Sequence, residues 1–461
     1  MRILISCAVV FIMLVAGREV GWSQQFTVPQ LNLRGGLGWI WMSQFANPAL
    51  RGALYSTPLF PWTGYYPLYP GAFTQILPEE GILVGPVGLH PFFGAAEMFT
   101  DNVFRTTDKR SDFFHTLAPG IQAQVPFARR HVFVADYRTN IQYYQRTPSN
   151  NVQDQTASGR LQFNFANDLK LDLQGEHKLG HDPRGSAVDT QAVEVNKWTT
   201  DSFIGRALYT GGQIGAMLTV QSLRWNFLNN NQAIIRNEIT NYAGLRVQGA
   251  VFPNTSALLD FGVRQDIYDQ NKNLDSALYT VSTGARWEVT GSTAGEILIG
   301  YQFLKYTNAQ INQPGPFLSA FQRDQDSFSS FFISGRLFWS PISQLTFTLQ
   351  PYRAVQPVVV SGTSFYTATG VNLSGAYAVT ERTDLIGNLG FERDDFSSPA
   401  GTTGVTPDRS DTLKNIAIGL NYRAVKWIGI GLQYIFEHRD STIERFNYQA
   451  NTFMVSAQTL F

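Results

Sequence analysis

The chain ends in Asn451-Thr-Phe-Met-Val-Ser-Ala-Gln-Thr-Leu-Phe461, and this stretch indicates the fold class. Its side chains alternate with a period of two: the apolar set is Phe453, Val455, Ala457 and Phe461, and the polar set is Thr452, Ser456 and Gln458. A strand with one apolar and one polar face can separate lipid from water. The pattern therefore predicts a membrane strand that ends on an aromatic residue.

The terminal aromatic residue also indicates how such a strand reaches the membrane. A Phe at the end of an amphipathic last strand is typical of the assembly signal of outer-membrane β-barrels, so Phe461 is the predicted signal. The barrel-assembly machinery and outer-membrane lipid are then the expected partners, and the cell outer membrane is the expected location. Every other strand must likewise have a lipid face and a water face.

Residues 1–24 have the composition of a secretory signal peptide. Met1-Arg2 precedes an apolar run from Ile3 to Gly17, which is too short for a transmembrane helix of about 20 residues. The single cysteine, Cys7, lies inside this run. We therefore expect the mature chain to have no disulfide, thiolate metal site or catalytic thiol.

The overall composition fits a barrel and gives no support to nucleic-acid binding. Basic and acidic residues number 35 each, so no basic surface is expected to attract a polyanion. Only 15% of residues are charged and 13% are aromatic, yet the mean hydropathy is slightly below zero. Alternation explains this combination, because each apolar residue has polar neighbours.

Period-two segments recur from about residue 90 onwards, for example in 130–143, 169–178 and 414–423. A soluble β-sandwich would also alternate. Two features favour the membrane alternative: the terminal aromatic, and aromatic residues near strand ends, as in interfacial girdles. The predicted girdle residues are Tyr143, Trp225, Trp287, Trp339 and Trp427.

Eight short connections alternate with longer polar segments. The short connections are 126–129, 166–168, 210–212, 253–255, 290–292, 340–343, 379–382 and 424–426, and several are rich in Gly, Pro, Asn or Asp. Tight turns on one side and long loops on the other match the periplasmic and external sides of a barrel. The sequence therefore predicts an all-β, antiparallel transmembrane barrel of about 18 strands, with 16 as the alternative count.

Residues 25–88 differ from the segment that follows, the predicted barrel of residues 89–461. Nine of the 21 prolines lie between Pro29 and Pro91, and the segment carries clustered aromatic rings and few charges. Proline is excluded from helix interiors and from central strands. We interpret 25–88 as an irregular periplasmic extension; the alternative is a segment that enters the lumen or places its rings against sugars.

Residues 91–120 carry a family resemblance. Pro91-Phe-Phe-Gly-Ala-Ala-Glu-Met-Phe-Thr-Asp-Asn-Val-Phe104, then Ser111-Asp112, then Leu117-Ala-Pro-Gly120 resemble the opening strands of the family known as putative β-barrel porins. The matching motif residues are Asp101, Asn102, Ser111 and Asp112. The resemblance implies an outer-membrane barrel associated with exopolysaccharide or capsule secretion, so polysaccharide and its secretion apparatus become expected partners. The position before Asp101 is Thr100, which departs from the usual pattern.

The sequence predicts no catalytic residue, cofactor or metal. His177 and His181 are four residues apart, so on one strand face they lie about 13 Å from each other, and only a bend at Gly180 would let them share a metal. Neither a Gly-x-Ser-x-Gly elbow nor a His-Glu-x-x-His motif is present in the chain. An outer-membrane enzyme is therefore the minor alternative.

The charged residues of the predicted strands fall on the face opposite the aliphatic residues. Charges facing lipid are costly, so a wet lumen is their expected place. The predicted lumen-lining residues are Asp136, Arg138, Arg160, Lys170, Asp172, Glu176, Arg206, Glu238, Arg246, Asp260, Arg264, Asp266, Arg286, Glu296, Arg336 and Arg423.

Two compatible interpretations follow from this mixed charge: pairing that holds a closed wall together, and a pore without strong ion selectivity. The predicted function is a porin-like channel for hydrophilic solutes, which the resemblance links to exopolysaccharide export. The main alternative is a non-conducting scaffold or assembly partner of a polysaccharide secretion system.

Overall fold

The computed structural model describes residues 81–460, apart from 166–167, 187–188, 190–191, 291, 309–325, 361–362, 398–408 and 426. The predicted signal peptide, the predicted extension up to residue 80 and Phe461 lie outside the described residues. The strands are β1 (Ile82–Val84), β2 (Val87–Thr100), β3 (Asp112–Phe127), β4 (His131–Tyr144), β5 (Val152–Asn164), β6 (Leu169–His181), β7 (Lys197–Tyr209), β8 (Ile214–Phe227), β9 (Glu238–Phe252), β10 (Thr255–Tyr268), β11 (Ser276–Thr290), β12 (Thr293–Tyr306), β13 (Ser327–Ile342), β14 (Leu345–Val360), β15 (Thr363–Thr380), β16 (Thr383–Phe396), β17 (Ser410–Val425), β18 (Ile428–Ser441) and β19 (Tyr448–Leu460). A one-turn helix, α1 (Gln232–Arg236), and three 3₁₀ turns, Pro148–Asn150, Lys272–Leu274 and Glu444–Phe446, lie in the loops.

The sheet closes on itself. Each strand from β2 to β19 pairs with its successor in antiparallel register, and β19 returns to β2 from Thr452 opposite Thr100 to Leu460 opposite Phe92. Closure satisfies the backbone hydrogen-bonding groups within the wall, which lipid cannot do. The predicted 18-strand antiparallel barrel is confirmed.

The two ends of the barrel differ as predicted. Short turns join β3–β4, β5–β6, β7–β8, β9–β10, β11–β12, β13–β14, β15–β16 and β17–β18, and they coincide with the eight predicted connections. Gly212, in the turn between β7 and β8, has a φ of 65°, a left-handed conformation that glycine adopts without steric cost. Most of the connections at the other end are longer, so we assign the short turns to the periplasmic side and the long loops to the external side.

Strand structure begins earlier than the boundary predicted at residue 89. β2 starts at Val87, and β1 forms a small hairpin with it through Gly85, whose φ is 63°. Pro91 lies in β2 and pairs with Ile121 on β3, and the pairing described between β2 and β19 runs from Phe92 to Thr100.

The outer face is apolar, with large exposed side chains such as Ile418, Leu432 and Phe453. Tyr143, Trp339 and Trp427 are exposed, as the predicted aromatic girdle requires. Trp225 is a correction: it faces inward and packs against Trp198 and Phe227, because its position on β8 has the parity of the lumen face.

Among the described residues, no helix is long and apolar enough to span a membrane.

Candidate functional site: the barrel lumen

All sixteen predicted lumen residues lie on the face opposite the exposed apolar side chains. That this face is the inner one follows from contacts that skip strands. Arg246 on β9 donates a hydrogen bond to Glu296 on β12 at 3.0 Å, across β10 and β11. Such a contact is available only on the concave side of the wall. The lumen is therefore lined by the charged and polar set that the alternation predicts.

Ten of the sixteen residues form ion pairs within the lumen, in four groups. In the first group of three, Arg246 contacts Asp260 through both Nε and Nη2, at 2.7 and 2.6 Å, in addition to Glu296. In the second, Arg160 holds Asp172 at 2.7 and 2.9 Å, and Arg206 approaches the same carboxylate at 3.4 Å. Two-pronged contacts of this kind fix the wall geometry and compensate charge.

The remaining groups are smaller. Arg138 pairs with Asp136 on the same strand, and Arg264 pairs with Asp266, which also accepts a hydrogen bond from Thr240 Oγ1 at 2.8 Å. The other six predicted residues also face the lumen, and two of them, Arg286 and Arg336, stand opposite Glu296 on the neighbouring strands; the six are Lys170, Glu176, Glu238, Arg286, Arg336 and Arg423. At least six of the sixteen predicted residues therefore pair across strands, and four pair along a single strand.

The external half of β14 leaves the wall. β13 and β14 pair only as far as Ile333 opposite Arg353, although β14 continues to Val360 and stays paired with β15. Pro351 lies where the β13–β14 register is interrupted, and Pro357 lies farther along the departing segment. Because proline has no N–H to donate, these positions weaken the ladder to β13.

The departing segment packs against the inner face of β10–β13. We call residues 354–360 and 363–367, the external halves of β14 and β15, the inner hairpin. Val355 is fully buried in a cluster with Leu278, Leu304 and Phe365, and its N–H donates to Oε1 of Gln302 on β12 at 2.9 Å. The rings of Phe365 and Phe328 lie 4.5 Å apart. The inner hairpin therefore occupies part of the lumen.

External loops narrow the mouth further. In the β2–β3 loop, Arg105 has a φ of 52° and donates to Glu437 on β18 at 2.7 Å, across β19. Burial lowers the pKa of Arg105, but the charge and hydrogen bond of Glu437 together with the nearby Tyr448 and Tyr144 outweigh burial, so the pKa is raised. Gly185, from the β6–β7 loop, sits so close that an added Cβ would lie 2.9 Å from the Arg105 side chain. These two loops meet above the lumen.

The family motif residues close the seam between the first and last membrane strands. Asp101 accepts hydrogen bonds from the backbone N–H and the side-chain amide of Asn451 on β19, each at 2.7 Å, and from Lys109 at 3.0 Å. Burial alone would raise the pKa of Asp101, but these hydrogen bonds outweigh it and lower the pKa. Asn102 is fully buried and donates to the carbonyl of Gln449 at 3.0 Å.

Ser111 and Asp112 hold the next connection. Asp112, which is fully buried, accepts hydrogen bonds from the backbone N–H groups of Arg146 and Thr147, at 3.0 and 2.9 Å. Ser111 Oγ accepts from Arg146 at 3.3 Å. Asp101, Asn102 and Asp112 therefore bind backbone groups at the external ends of strands.

The histidines do not converge. His177 contacts Asp201 at 2.7 Å on the outer face, and His181 contacts Asp154 at 2.8 Å near the external loops. Across the described part of the chain, no group of three or more His, Cys, Asp or Glu residues is arranged to hold a metal ion.

Sequence reasoning missed the inner hairpin and the Arg105–Glu437 pair. The best candidate for a constricting loop in the sequence is Asn308–Asp326, most of which lies outside the described residues. Two prolines inside an otherwise regular strand, Pro351 and Pro357, were the available signal for the hairpin. Nothing local to Arg105 indicates a partner 332 residues away.

Several solved outer-membrane proteins resemble the barrel. They include OpdK from Pseudomonas aeruginosa (9% identity, 81% of this chain and 98% of that one, TM-score 0.44) and OpdL from the same organism (11%, 82% and 99%, 0.44). OccAB4 from Acinetobacter baumannii is similar at 11% identity, over 81% of this chain and 98% of that one, with a TM-score of 0.44. At these scores the likeness carries no inference about function.

No protein of curated function matches the chain in sequence. A family model does match: the one described as "Putative beta-barrel porin 2" matches residues 78–460, which include all nineteen strands. The chain therefore belongs to this β-barrel porin family and is a porin-like barrel of the outer membrane.

Proposed function

We propose that the protein is a channel through which hydrophilic solutes cross the outer membrane passively. One observation carries this proposal: the 18-strand wall is apolar outside and polar inside, and its inner charges of both signs are mostly paired. A wall of this size encloses more space than its own side chains fill. Compensated charge favours passage without strong preference for anions or cations.

Single-channel recording in a planar lipid bilayer tests the proposal. The purified, folded barrel should insert and produce discrete current steps, with weak selectivity between potassium and chloride. A heat-unfolded sample at the same detergent concentration is the matched control and should give none. Folded protein that inserts without current steps would contradict a channel.

The second candidate is a non-conducting scaffold or assembly partner, which the inner hairpin and the Arg105–Glu437 contact favour. Both place protein inside the lumen or over its mouth. A channel should conduct in a bilayer and a scaffold should not. In cells, a scaffold should keep its function when a charged substitution blocks the lumen, whereas a channel should lose it. The channel proposal is preferred because the inner face of β3–β6 retains half-buried polar side chains such as Gln122, Ser158 and Gln174.

We also propose that the exported solutes include polysaccharide, and that residues 1–24 are a cleaved signal and residues 25–80 a periplasmic extension. The polysaccharide proposal rests on the family resemblance, and the signal and extension proposals rest on composition.

Loss of surface polysaccharide in a deletion strain, restored by the intact gene, would support the polysaccharide proposal. Normal polysaccharide in that strain would argue against it. The N-terminal sequence of the mature protein tests the cleavage.

A further inference from the structure

A strip of neutral amides runs along one side of the lumen. The inward faces of β15–β19 carry Asn372, Asn388, Asn415, Asn421, Gln433 and Gln458. Inward charges lie at both ends of these strands: Asp384 and Arg423 at the periplasmic end, and Glu392, Asp411 and Glu437 toward the mouth. Between these two ends, on the described part of the strands, no charged side chain points inward. We call these six residues the amide strip.

Part of each of the side chains of Asn388, Asn415 and Asn421 faces the lumen, whereas their side-chain oxygens are buried. The strip's neighbours at inward positions include the small residues Gly390, Ala417 and Gly419 and the larger residues Ile386, Ile435 and Met454. A Cβ added to Gly390 would lie 2.2 Å from Nδ2 of Asn415, so the glycine leaves the space that this amide occupies. Asn388, Asn415 and Asn421 are half-buried and thus in contact with lumen water.

The amides keep unused hydrogen-bonding capacity. Asn388 donates to Oδ1 of Asn372 at 3.0 Å, which links two neighbouring strands. Among the described residues, the side-chain oxygens of Asn388, Asn415 and Gln433 have no hydrogen-bond partner, and Gln433 is only 6% exposed. Buried polar atoms normally have partners, so these amide oxygens leave room for a partner that the wall itself does not supply.

The chemistry of the strip selects the class of that partner. An amide both donates and accepts, as a sugar hydroxyl does, and neither carries charge. Ion pairs of the lumen lie on β4–β12, where Arg246 and Asp172 already have opposite charges beside them, and at the external ends of β17 and β18, where Asp411 pairs with Arg409 and Arg439. A carboxylate moving along the strip would lose water without meeting a Lys or Arg side chain on it, which is unfavourable.

We propose that the amide strip binds uncharged, hydroxyl-rich solutes such as neutral oligosaccharides, and passes them in preference to chains that carry carboxylates. The inference rests on the proposed channel function and names its solute class. Individual hydrogen bonds exchanged with water are weak, so binding along the strip is transient and compatible with passage.

The test is the block of single-channel current by two probes of equal length, maltohexaose and hexagalacturonate. With the intact barrel, maltohexaose should interrupt the current at concentrations about tenfold lower than hexagalacturonate, as expected for a few hydrogen bonds of modest net strength. This comparison uses the unaltered protein, so it does not depend on whether a variant folds.

A double variant, Asn388→Leu with Asn415→Leu, assigns the effect to the strip. Leucine has nearly the same shape but no hydrogen-bonding groups, so block by maltohexaose should weaken about tenfold while ion conductance is retained. Gln174→Leu, on the inward face of β6 in the opposite wall, is the matched control and should leave the block unchanged. If the leucine pair does not fold, Asn388→Ala with Asn415→Ala replaces it.

Three results would overturn the inference in distinguishable ways. Equal block by both probes, or stronger block by hexagalacturonate, would reject the solute class while leaving the channel intact. Unchanged block in the double variant, or an equal loss in Gln174→Leu, would place the binding elsewhere. Absence of current steps in the unaltered protein would reject the channel itself, and the inference with it.

Discussion

The carboxylate of Asp101, just after β2, accepts two hydrogen bonds from Asn451 on β19, each at 2.7 Å. These residues are 350 positions apart in the chain and adjacent in the barrel, because β19 returns to pair with β2. The closing seam is the one interface of the wall whose strands are not joined by a local loop. A polar lock at its external end compensates for that missing connection.

Asp101→Ala should destabilise the barrel by about 1–3 kcal/mol, because it leaves the Asn451 amides without their charged acceptor. Urea unfolding in lipid vesicles, followed by tryptophan fluorescence, measures the change. Asp108→Ala, an exposed acidic residue of the same loop, is the matched control and should be neutral. Equal stability of the two variants would mean that the seam does not depend on this lock.

The same carboxylate predicts a pH dependence. Its pKa is lowered in the folded barrel, so the folded state favours the charged form. The stabilisation is therefore complete above the ordinary pKa of 3.8 and is lost as the pH falls through the lower folded-state value. Unfolding curves of the native barrel and Asp101→Asn should converge in that acidic range; a gap that stays constant with pH would contradict the assignment.

Ile418→Arg should cost about 2–4 kcal/mol, because Ile418 is 51% exposed on the lipid face of β17. Asn421→Arg, three positions away on the same strand, points into the lumen and should cost much less. Folding equilibria in lipid vesicles compare the two. Similar costs would mean that the faces of β17 are assigned the wrong way round.

Arg246→Met should destabilise the barrel by about 3–5 kcal/mol, because it leaves Asp260 and Glu296 as buried carboxylates without their cation. Arg138→Met is the comparison: its side chain is 41% exposed, and the loss should be at most about 1 kcal/mol. Urea unfolding of both variants gives the difference. A small cost for Arg246→Met would indicate that lumen water solvates the site.

Val355→Asp should raise the single-channel conductance. A carboxylate does not fit the apolar cluster of Leu278, Leu304 and Phe365, so the inner hairpin should leave the inner wall and widen the lumen. Val355→Ile keeps the apolar contact and should conduct like the native barrel. Unchanged current in Val355→Asp would show that the inner hairpin does not limit the pathway.

Phe461→Ala should lower the amount of folded barrel in the outer membrane, because the terminal aromatic is the predicted assembly signal. Heat-modifiable mobility of membrane fractions on gels measures folded protein. Thr459→Ala, two positions earlier, is the control and should assemble normally. Native amounts of the Phe461→Ala barrel would argue against this role.

The sequence by itself determined the strands, their number and the direction of their side chains. Period-two alternation is a local property, and lipid outside with water inside allows only one assignment of each face. The exposed Ile418 and the inward contact of Arg246 with Glu296 follow this parity. Trp225 was misplaced because proximity to a strand end does not specify which face a residue occupies.

Only the tertiary structure decided what fills the lumen and what closes it. The contacts Val355–Gln302, Arg105–Glu437 and Asp101–Asn451 join residues 53, 332 and 350 positions apart. They depend on the curvature of the closed wall and on which strand stands opposite another across the lumen, quantities that no local pattern encodes. Pro351 and Pro357 indicate in the sequence that β14 is irregular. The direction in which β14 bends depends on the apolar inner surface of β10–β13, against which it packs.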